Sequence, residues 1–262
     1  MKVYKLALLG ALLSFLALSS GCGRLRARDQ LNKGVQAFRN AQFQAAVTHF
    51  QTAISLDPTL LNARLYLATA YFNQYVPSGE SPDNLKIAQQ AISAFEDVLR
   101  VDPNNTNAIA SIANIYYYEK QFDKAKDYQK RWLQIEPTNP VPYYWVGMLD
   151  WAICFPRAQQ MRKDLKLEFP KDPKDPDSLP LLPAKNRAQL EEQNGPLVKE
   201  GVDALEKAIQ LKPNDFDTMA YLNLIYRQKS ELESDPAARA ADLKQADEWV
   251  SKAVAVKKAT GS

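Results

Sequence analysis

A recurring proline is the feature of this 262-residue chain that most restricts its fold. Four helical patterns end in a similar segment, where an aliphatic and a charged residue precede proline, at residues 55–58, 100–103, 134–137 and 210–213. Proline stops a helix because its ring removes the backbone N–H and clashes with the preceding turn. The second and third of these prolines lie 34 residues apart, and the other intervals are 45 and 76 residues. The pattern predicts a helical unit of about 34 residues with insertions.

Small residues recur inside each period, with large apolar residues around them. They are Gly34, Ala46, Ala53, Ala68, Ala91, Ala113, Ala125, Gly147, Gly201 and Ala208. Helix backbones can approach closely only where no large side chain intervenes. Together with Phe50, Phe95 and the terminal prolines, this spacing resembles the tetratricopeptide repeat (TPR), a helix–turn–helix unit. Trp132 occupies one position where that family has a small residue.

The resemblance implies an all-α fold, a right-handed helical solenoid of about five TPR repeats with insertions in repeats 2, 4 and 5. The repeats fall at about residues 27–60, 61–105, 106–139, 140–215 and 216–258. They make up a domain at residues 29–258, and residues 259–262 form a tail. The fifth repeat lacks a closing proline.

The insertions lie between the first and second helix of their repeats. Residues 76–86 contain Pro77, Gly79 and Pro82, which predicts a loop. Residues 155–194 are rich in proline, with an irregular middle at 171–183 and a helix at 184–193. In repeat 5 a lengthened helix at 219–233 precedes Asp235 and Pro236, which predict the start of a helix that runs to about residue 256. Insertions at equivalent points of a solenoid project from one edge, so they form either a second contact surface or tolerated surface variation.

The N-terminus predicts export. A short basic start is followed by an apolar stretch at residues 6–18, which is too short to span a bilayer, and then by small residues. Residues 18–22 resemble the lipobox of bacterial lipoproteins, although Ser19 stands where that motif usually has leucine. The resemblance implies a signal peptide at residues 1–21, lipidation of Cys22 and a linker at 22–28. Ordinary signal-peptide cleavage is the alternative. The residue after Cys22 is Gly23 and not Asp, which by resemblance to the sorting rule of enterobacterial lipoproteins implies the outer membrane in a host with two membranes.

Composition excludes several kinds of site. Lys and Arg number 33 and Asp and Glu number 30, so the mature chain without Lys2 and Lys5 is nearly neutral and lacks the basic surface of a nucleic-acid-binding protein. The chain has two cysteines, Cys22 and Cys154, and one histidine, His49. These cannot form a Cys/His metal cluster, and no catalytic motif is present. We therefore predict no enzymatic activity, no cofactor and no metal.

The first helices of stacked repeats line a concave face. In this chain the exposed groove positions are expected to be Phe38, Phe72, Asn73, Asn114, Tyr117, Tyr118, Tyr144, Met148 and Trp151. Aromatic side chains supply contact area at low entropy cost, and amides can bond a peptide backbone. Some of these side chains can instead pack against the long fourth-repeat insertion. TPRs that bind C-terminal carboxylates use a clamp with Lys and Arg, and the corresponding positions here, such as Leu31 and Val35, are not cationic.

These features predict a membrane-anchored scaffold or adaptor that binds other envelope proteins or peptides in its groove. It would be attached by lipid to the periplasmic face of a bacterial outer membrane. The alternative is a solute-binding accessory protein of a transporter, in which the long insertion closes the groove into a pocket lined by Tyr144, Met148 and Trp151. An open trough favours the adaptor, and an enclosed cavity favours the solute-binding protein.

Overall fold

The computed structural model describes residues 23–168 and 180–260. Within these ranges the only regular secondary structure is α-helix, which confirms the predicted all-α class. The helices are α1 (residues 23–39), α2 (Phe43–Leu56), α3 (Leu61–Phe72), α4 (Pro82–Val101), α5 (Thr106–Tyr118), α6 (Phe122–Ile135), α7 (Pro140–Asp164), α8 (Ala184–Leu211), α9 (Phe216–Leu232) and α10 (Pro236–Thr260). No helix in these two ranges has both the length and the apolar character that a membrane span needs.

The chain divides into two compact units, and the boundary falls between Glu119 and Lys120, inside the third repeat. In the first unit α2 packs on α3, α3 on α4 and α4 on α5. In the second unit each helix from α6 to α9 packs on the next one, and α7 also contacts α9. The residues predicted as one repeat domain are thus built as two units.

Each unit has its own apolar core. In the first unit Phe50 of α2 is fully buried among small residues of α1, α2 and α3. The core of the second unit is formed by α7, α8 and α9, with Leu205, Leu222 and Ile225 fully buried. Burying these side chains is worth about 1.5–3 kcal/mol each.

The predicted stop signals act through the residue before each proline. These residues, Asp57, Asp102, Glu136 and Lys212, have φ between −141° and −128° and ψ between 71° and 93°. A residue that precedes proline is pushed out of the helical region by the proline ring. In each case its N–H still bonds the carbonyl four residues back at 2.8–2.9 Å, so the last helical turn closes before the chain leaves the helix.

Repeats 1 and 3 share one turn geometry between their helices. Ala41 and Lys120 both have φ of 57°, in the left-handed region. The residues that follow them, Gln42 and Gln121, have φ of −86° and −88° with the same ψ of 62°. Two segments of different sequence therefore reverse the chain in the same way, as expected for copies of one repeat.

The small residues lie at tight helix contacts, as the repeat pattern predicts. A Cβ added at Gly34 of α1 would lie 2.4 Å from a ring carbon of Phe50. A Cβ at Gly147 of α7 would lie 2.3 Å from Cγ of Leu205 and 2.8 Å from the carbonyl oxygen of Gly201, both in α8. The residues at the corresponding positions of repeats 2 and 3 are also buried: Ala68 and Ala113.

The second-repeat insertion is a shorter loop than the predicted 76–86. Helix α4 begins at Pro82 with Ser81 as its N-cap, because a serine followed by proline is a strong helix start. The buried side chain of Asn84 holds the remaining loop through hydrogen bonds of 2.7–2.9 Å with the backbone of Val76 and Gly79.

The fourth-repeat insertion is mostly helical. Helix α7 continues through Pro156 to Asp164, and the predicted helix at 184–193 is the beginning of α8, which continues through Pro196. Proline removes the N–H that would bond the carbonyl four residues back, which for Pro196 is that of Glu192. In the same turn, the carbonyl of Gln193 accepts a hydrogen bond from Arg157 of α7 at 3.2 Å. Of the segment predicted to be irregular, residues 180–183 are non-helical and residues 171–179 lie outside the described ranges.

In the fifth repeat, the lengthened helix α9 and the start of α10 agree with the prediction. The Asp235 carboxylate accepts hydrogen bonds from the N–H groups of Ala237 and Ala238 at 3.2 Å each.

The predicted linker at residues 22–28 needs correction. Residues 23–28 are helical within α1, because Ala27 is buried and gives this turn an apolar contact. Cys22 and the predicted signal peptide lie outside the described residues.

We predict that Gly147→Ala destabilises the second unit by about 1–3 kcal/mol, because the new methyl group overlaps Leu205 and the backbone of Gly201. Helix propensity alone would make this change stabilising by about 1 kcal/mol, so the sign of the effect is diagnostic. All four tryptophans lie beyond residue 120, and urea unfolding followed by tryptophan fluorescence therefore reports on this unit. The reverse exchange at an exposed site of α8, Ala188→Gly, calibrates the propensity effect. A stabilised Gly147→Ala variant would contradict the tight contact.

Candidate functional site

Six of the nine predicted groove residues belong to the first unit: Phe38, Phe72, Asn73, Asn114, Tyr117 and Tyr118. Asn73 is exposed, and the other five are half-buried. Phe72 lies edge-on to the core residue Phe95, with 6.3 Å between ring centroids, and the rings of Tyr117 and Tyr118 lie 5.3 Å apart.

Phe38 and Asn73 also contact residues that are close to them in sequence. Phe38 lies edge-on to Phe43, with 5.4 Å between ring centroids, and the Asn73 amide donates a hydrogen bond to the Thr69 carbonyl at 2.8 Å. A cleft of about 220 Å³ in this unit is lined by residues of α2, α3 and α4 and by none of the six. The first unit therefore does not bring them together around that cleft.

The remaining three predicted residues lie on α7 in the second unit, and one of them needs correction. Tyr144 and Trp151 are half-buried, but Met148 is only 3% exposed and cannot present its side chain at the surface. Helix α9 contacts α7 on this face, so the residue between the two aromatic positions is covered. Tyr144 and Trp151 line two different clefts, so the pocket predicted from the three residues together is not formed by them.

An aromatic chain connects α7 and α9. Tyr221 of α9 lies edge-on to both Tyr144 and Trp151, with 5.6 Å between ring centroids in each case. Trp151 in turn stacks on Phe155 at 5.0 Å. Edge-to-face and stacked pairs add about 0.5–1.5 kcal/mol each beyond the area they bury, so these four rings form a rigid surface.

The aromatic chain ends in a cleft of about 340 Å³ between α7, α9 and α10. Its apolar lining is Trp151, Phe155, Leu224 and Leu243. Its polar lining is Gln159, Arg227, Gln228, Ser230, Glu231 and Arg239. The volume lies at the lower end of the range for ligand sites, and an apolar wall with a few polar groups is typical of such sites.

The fourth- and fifth-repeat insertions build the walls of this cleft. Arg162 of the extended α7 is 1% exposed, and its Nε donates hydrogen bonds to both carboxylate oxygens of Glu231 in α9, at 3.1 and 3.2 Å. Its Nη1 also donates to the carbonyls of Leu167 and Pro180 at 3.3 and 3.0 Å. Leu232 of α9 packs against apolar residues of the fourth-repeat insertion. These two insertions therefore come together as one folded structure.

A buried ionic cluster lies further along α7. Asp150 is 0% exposed, and its Oδ1 lies 2.6 Å from Nζ of Lys126 in α6. The same Nζ lies 3.1 Å from Glu200 of α8, which also pairs with Lys130 at 2.5 Å. Burial raises the pKa of Asp150 to about 6, although Lys126 opposes this shift. The residues at this repeat position in repeats 2, 3 and 5 are Tyr71, Tyr116 and Tyr226. An aspartate at this position in repeat 4 is therefore a departure from the repeat pattern that the sequence alone shows.

The cysteine and histidine of the described ranges lie outside the cleft, where they pack or form hydrogen bonds within the fold. Cys154 is fully buried, and burial raises the pKa of its thiol to about 12. Its backbone carbonyl accepts a hydrogen bond from the buried Asn194 side chain at 3.1 Å. His49 is bonded to Gln30 at 2.8 Å. Among the residues that the structure describes, no group of three or more His, Cys, Asp or Glu side chains could hold a metal ion.

The sequence did not predict Phe155, Tyr221, Arg227 or Arg239 as site residues. Phe155 continues the stripe of Tyr144, Met148 and Trp151 at helical spacing, and Pro156 obscured this because it suggested a helix end. The two arginines and Tyr221 carry no local signal, because they enter the site only through the packing of α9 and α10.

Comparison with known proteins identifies the repeat. The sequence profile of the tetratricopeptide repeat matches residues 106–139. The chain is 27% identical over 113 residues to sperm-associated antigen 1 of Mus musculus, which covers 43% of this chain and 11% of that protein. It is 26% identical over 113 residues to the Hsp70-Hsp90 organizing protein of Triticum aestivum, covering 43% of this chain and 18% of that protein. The chain thus spans less than a fifth of the length of either relative.

Solved structures support the fold. The crystal structure of MamA protein matches with a TM-score of 0.57 at 14% identity, over 89% of this chain and 92% of that chain. YrrB, described as a TPR protein with an unusual peptide-binding site, matches with a TM-score of 0.52 at 13% identity, over 87% of this chain and 90% of that one. These likenesses show that the chain has the TPR fold.

We predict that Arg162→Met destabilises the second unit by about 3–5 kcal/mol. The change leaves the poorly exposed carboxylate of Glu231 without its partner, and a buried charge that has lost its partner is strongly unfavourable. Urea unfolding followed by tryptophan fluorescence measures the loss. Lys163→Met, at the exposed neighbouring residue, is the matched control and should stay within about 0.5 kcal/mol of the unmodified protein. Equal midpoints for the two variants would show that Arg162 does not anchor the insertion.

Proposed function

We propose that this chain, which has the TPR fold, is a scaffold that binds other proteins through peptide segments held in the cleft of the second unit. The observation that carries the proposal is the aromatic chain of Tyr144, Tyr221, Trp151 and Phe155 that ends in this cleft. Phe155 is 36% exposed although it stacks on Trp151, so part of this aromatic pair faces solvent. Rigid aromatic surfaces beside polar groups are the usual anchors of protein interfaces.

The comparisons support this proposal at the level of the fold. YrrB has a peptide-binding site by its description, and its repeats cover most of this chain. The relative from wheat is an organizing protein for Hsp70 and Hsp90, which is a scaffold by its name. Because one fold serves many partners, the residues of the cleft, and not the fold, have to specify what this chain binds.

The solute-binding alternative is less well supported. It requires a pocket that Tyr144, Met148 and Trp151 line together, whereas Met148 is buried and the other two residues line different clefts. The six groove positions of the first unit, including Phe38 and Tyr117, remain predicted contacts for the same kind of partner.

We also propose that the scaffold is lipid-anchored through Cys22 at the periplasmic face of a bacterial outer membrane. The proposal rests on the basic start, the apolar stretch and the lipobox-like residues 18–22. A lipid anchor at the N-terminus would place the repeats beside other envelope proteins, which are the partners we propose.

We expect Phe155→Ala to reduce the recovery of crosslinked partner proteins by about tenfold, because aromatic anchors typically contribute 1–2 kcal/mol or more. The measurement is chemical crosslinking in cells, affinity purification of the chain and quantitative mass spectrometry. Phe216→Ala is the matched control, since Phe216 is 39% exposed, lies on α9 and lines neither cleft. If both variants recover the same proteins in the same amounts, the cleft is not the binding surface.

We expect Cys22→Ser to release the chain from the membrane fraction, because a hydroxyl cannot replace the thiol as the site of lipid attachment. Separation of membrane and soluble fractions followed by immunoblotting measures the shift. Cys154→Ser is the control for loss of a thiol, since Cys154 is buried in the second unit. Persistence of the Cys22→Ser variant in the membrane fraction would rule out lipidation of this residue as the anchor.

A further inference from the structure

Three arginines and an exposed leucine form the start of α1. Arg24, Arg26 and Arg28 are all exposed. Leu25 is 72% exposed, which is the highest value of any large apolar side chain in the described residues. The turn is nevertheless held in the fold, because Ala27 is fully buried. The first unit therefore presents an apolar group to solvent among three cations.

Helix geometry places the cations on both sides of the leucine. Successive residues of an α-helix are turned by about 100°. Arg24 and Arg28 consequently lie on one flank of Leu25 and Arg26 lies on the other, with the buried Ala27 on the opposite side of the helix. An apolar centre with cations on its flanks is the pattern of a helix that contacts anionic lipid, where apolar burial and electrostatic attraction add.

The acidic groups near this turn balance only part of the positive charge. Asp29 is paired with Lys33 at 2.7 Å. Asp57, at the end of α2, accepts hydrogen bonds from the backbone N–H and the hydroxyl of Thr59 at 3.0 and 2.6 Å. These bonds lower the pKa of Asp57, and the charges of two of the arginines lower it further. Residues 24–33 together with Asp57 contain four cations and two acids, which leaves a net charge of +2.

The position of these residues in the chain indicates what covers them. Helix α1 begins at Gly23, the residue after Cys22, which we propose to be lipidated. At a rise of 1.5 Å per residue the three arginines lie within about 8 Å of the helix start, which is comparable to the thickness of the headgroup layer and to the Debye length at physiological salt. Lipid chains on Cys22 would thus hold the arginines within reach of lipid phosphates.

We infer that the start of α1, with Arg24, Arg26 and Arg28 around Leu25, is a contact surface for anionic phospholipid headgroups that holds the first unit against the membrane. This inference rests on the proposed lipid attachment and adds the orientation of the attached chain. A bilayer suits the surface better than an acidic protein does, because the surface directly follows the attachment point. A few basic residues bind a bilayer reversibly, so the contact orients the chain and does not replace the anchor.

The test uses the chain as cells produce it, purified from membranes with a dye attached to Asn32→Cys, an exposed site of α1. Cys154 does not compete for the dye because it is fully buried. The chain is reconstituted in vesicles of phosphatidylcholine alone or mixed with anionic phosphatidylglycerol, and energy transfer from the dye to a headgroup-labelled lipid is measured. Transfer should be higher in the anionic vesicles, and high salt should abolish the difference.

Replacing Arg24, Arg26 and Arg28 together by Gln should also abolish the difference, since each basic residue near an anionic surface changes the contact equilibrium by about fivefold. The charge-matched control combines three exposed sites of the second unit and should keep the difference: Lys207→Gln, Lys244→Gln and Lys258→Gln.

Flotation of the vesicles separates this inference from the proposed anchor. Equal transfer in the two vesicles, with the chain floating on both, would overturn the inference and leave the anchor in place. Flotation with the anionic vesicles alone would support the surface and contradict the anchor. A chain that floats with neither vesicle would contradict both.

Discussion

The close approach of α7 and α8 at Gly147 determines the register on which the second unit depends. No side chain separates the two backbones there, since even one methyl group would overlap Leu205. Antiparallel helices that are held at one point have their later contacts determined by the 1.5 Å rise per residue. Going along α7, Asp150 comes to lie against Gly201, Cys154 bonds Asn194, and Arg157 reaches the Gln193 carbonyl. One crossing glycine thereby aligns an extension that runs far beyond a standard repeat.

That alignment also joins the proline-containing parts of the two helices. Arg157 of α7 donates a hydrogen bond to the Gln193 carbonyl of α8, in the turn that precedes Pro196. Arg162 then ties the far end of α7 to α9 through Glu231. Such buried ion pairs add little net stability compared with apolar packing, but they tolerate few alternative arrangements. Their effect here is to join the fourth- and fifth-repeat insertions in one geometry, and that geometry creates the cleft.

The sequence was sufficient for the features that have a local cause. The prolines at positions 58, 103, 137 and 213 ended helices as predicted, because each excludes its preceding residue from the helical conformation. Asp235 and Pro236 began a helix as predicted, because capping also acts within a few residues. Pro156 suggested a helix end, whereas α7 continues through it to Asp164. Met148 was expected in the groove, and its burial depends on how closely α9 packs on α7. Tyr221 of the aromatic chain and Arg239 of the cleft come from two further helices, so no pattern within one helix could combine them.

The position of the cleft also bears on stability. Helix α10 packs mainly on α9, whereas Phe155 and Gln159 stand on α7. A peptide held between Phe155 and Arg239 would therefore connect α7 directly to α10 and bypass α9. Any ligand that binds only the folded arrangement stabilises it in proportion to the logarithm of its concentration. Helix α10, whose main packing neighbour is α9, would gain most from such a connection, so the proposed peptide binding would stabilise this helix through the same cleft.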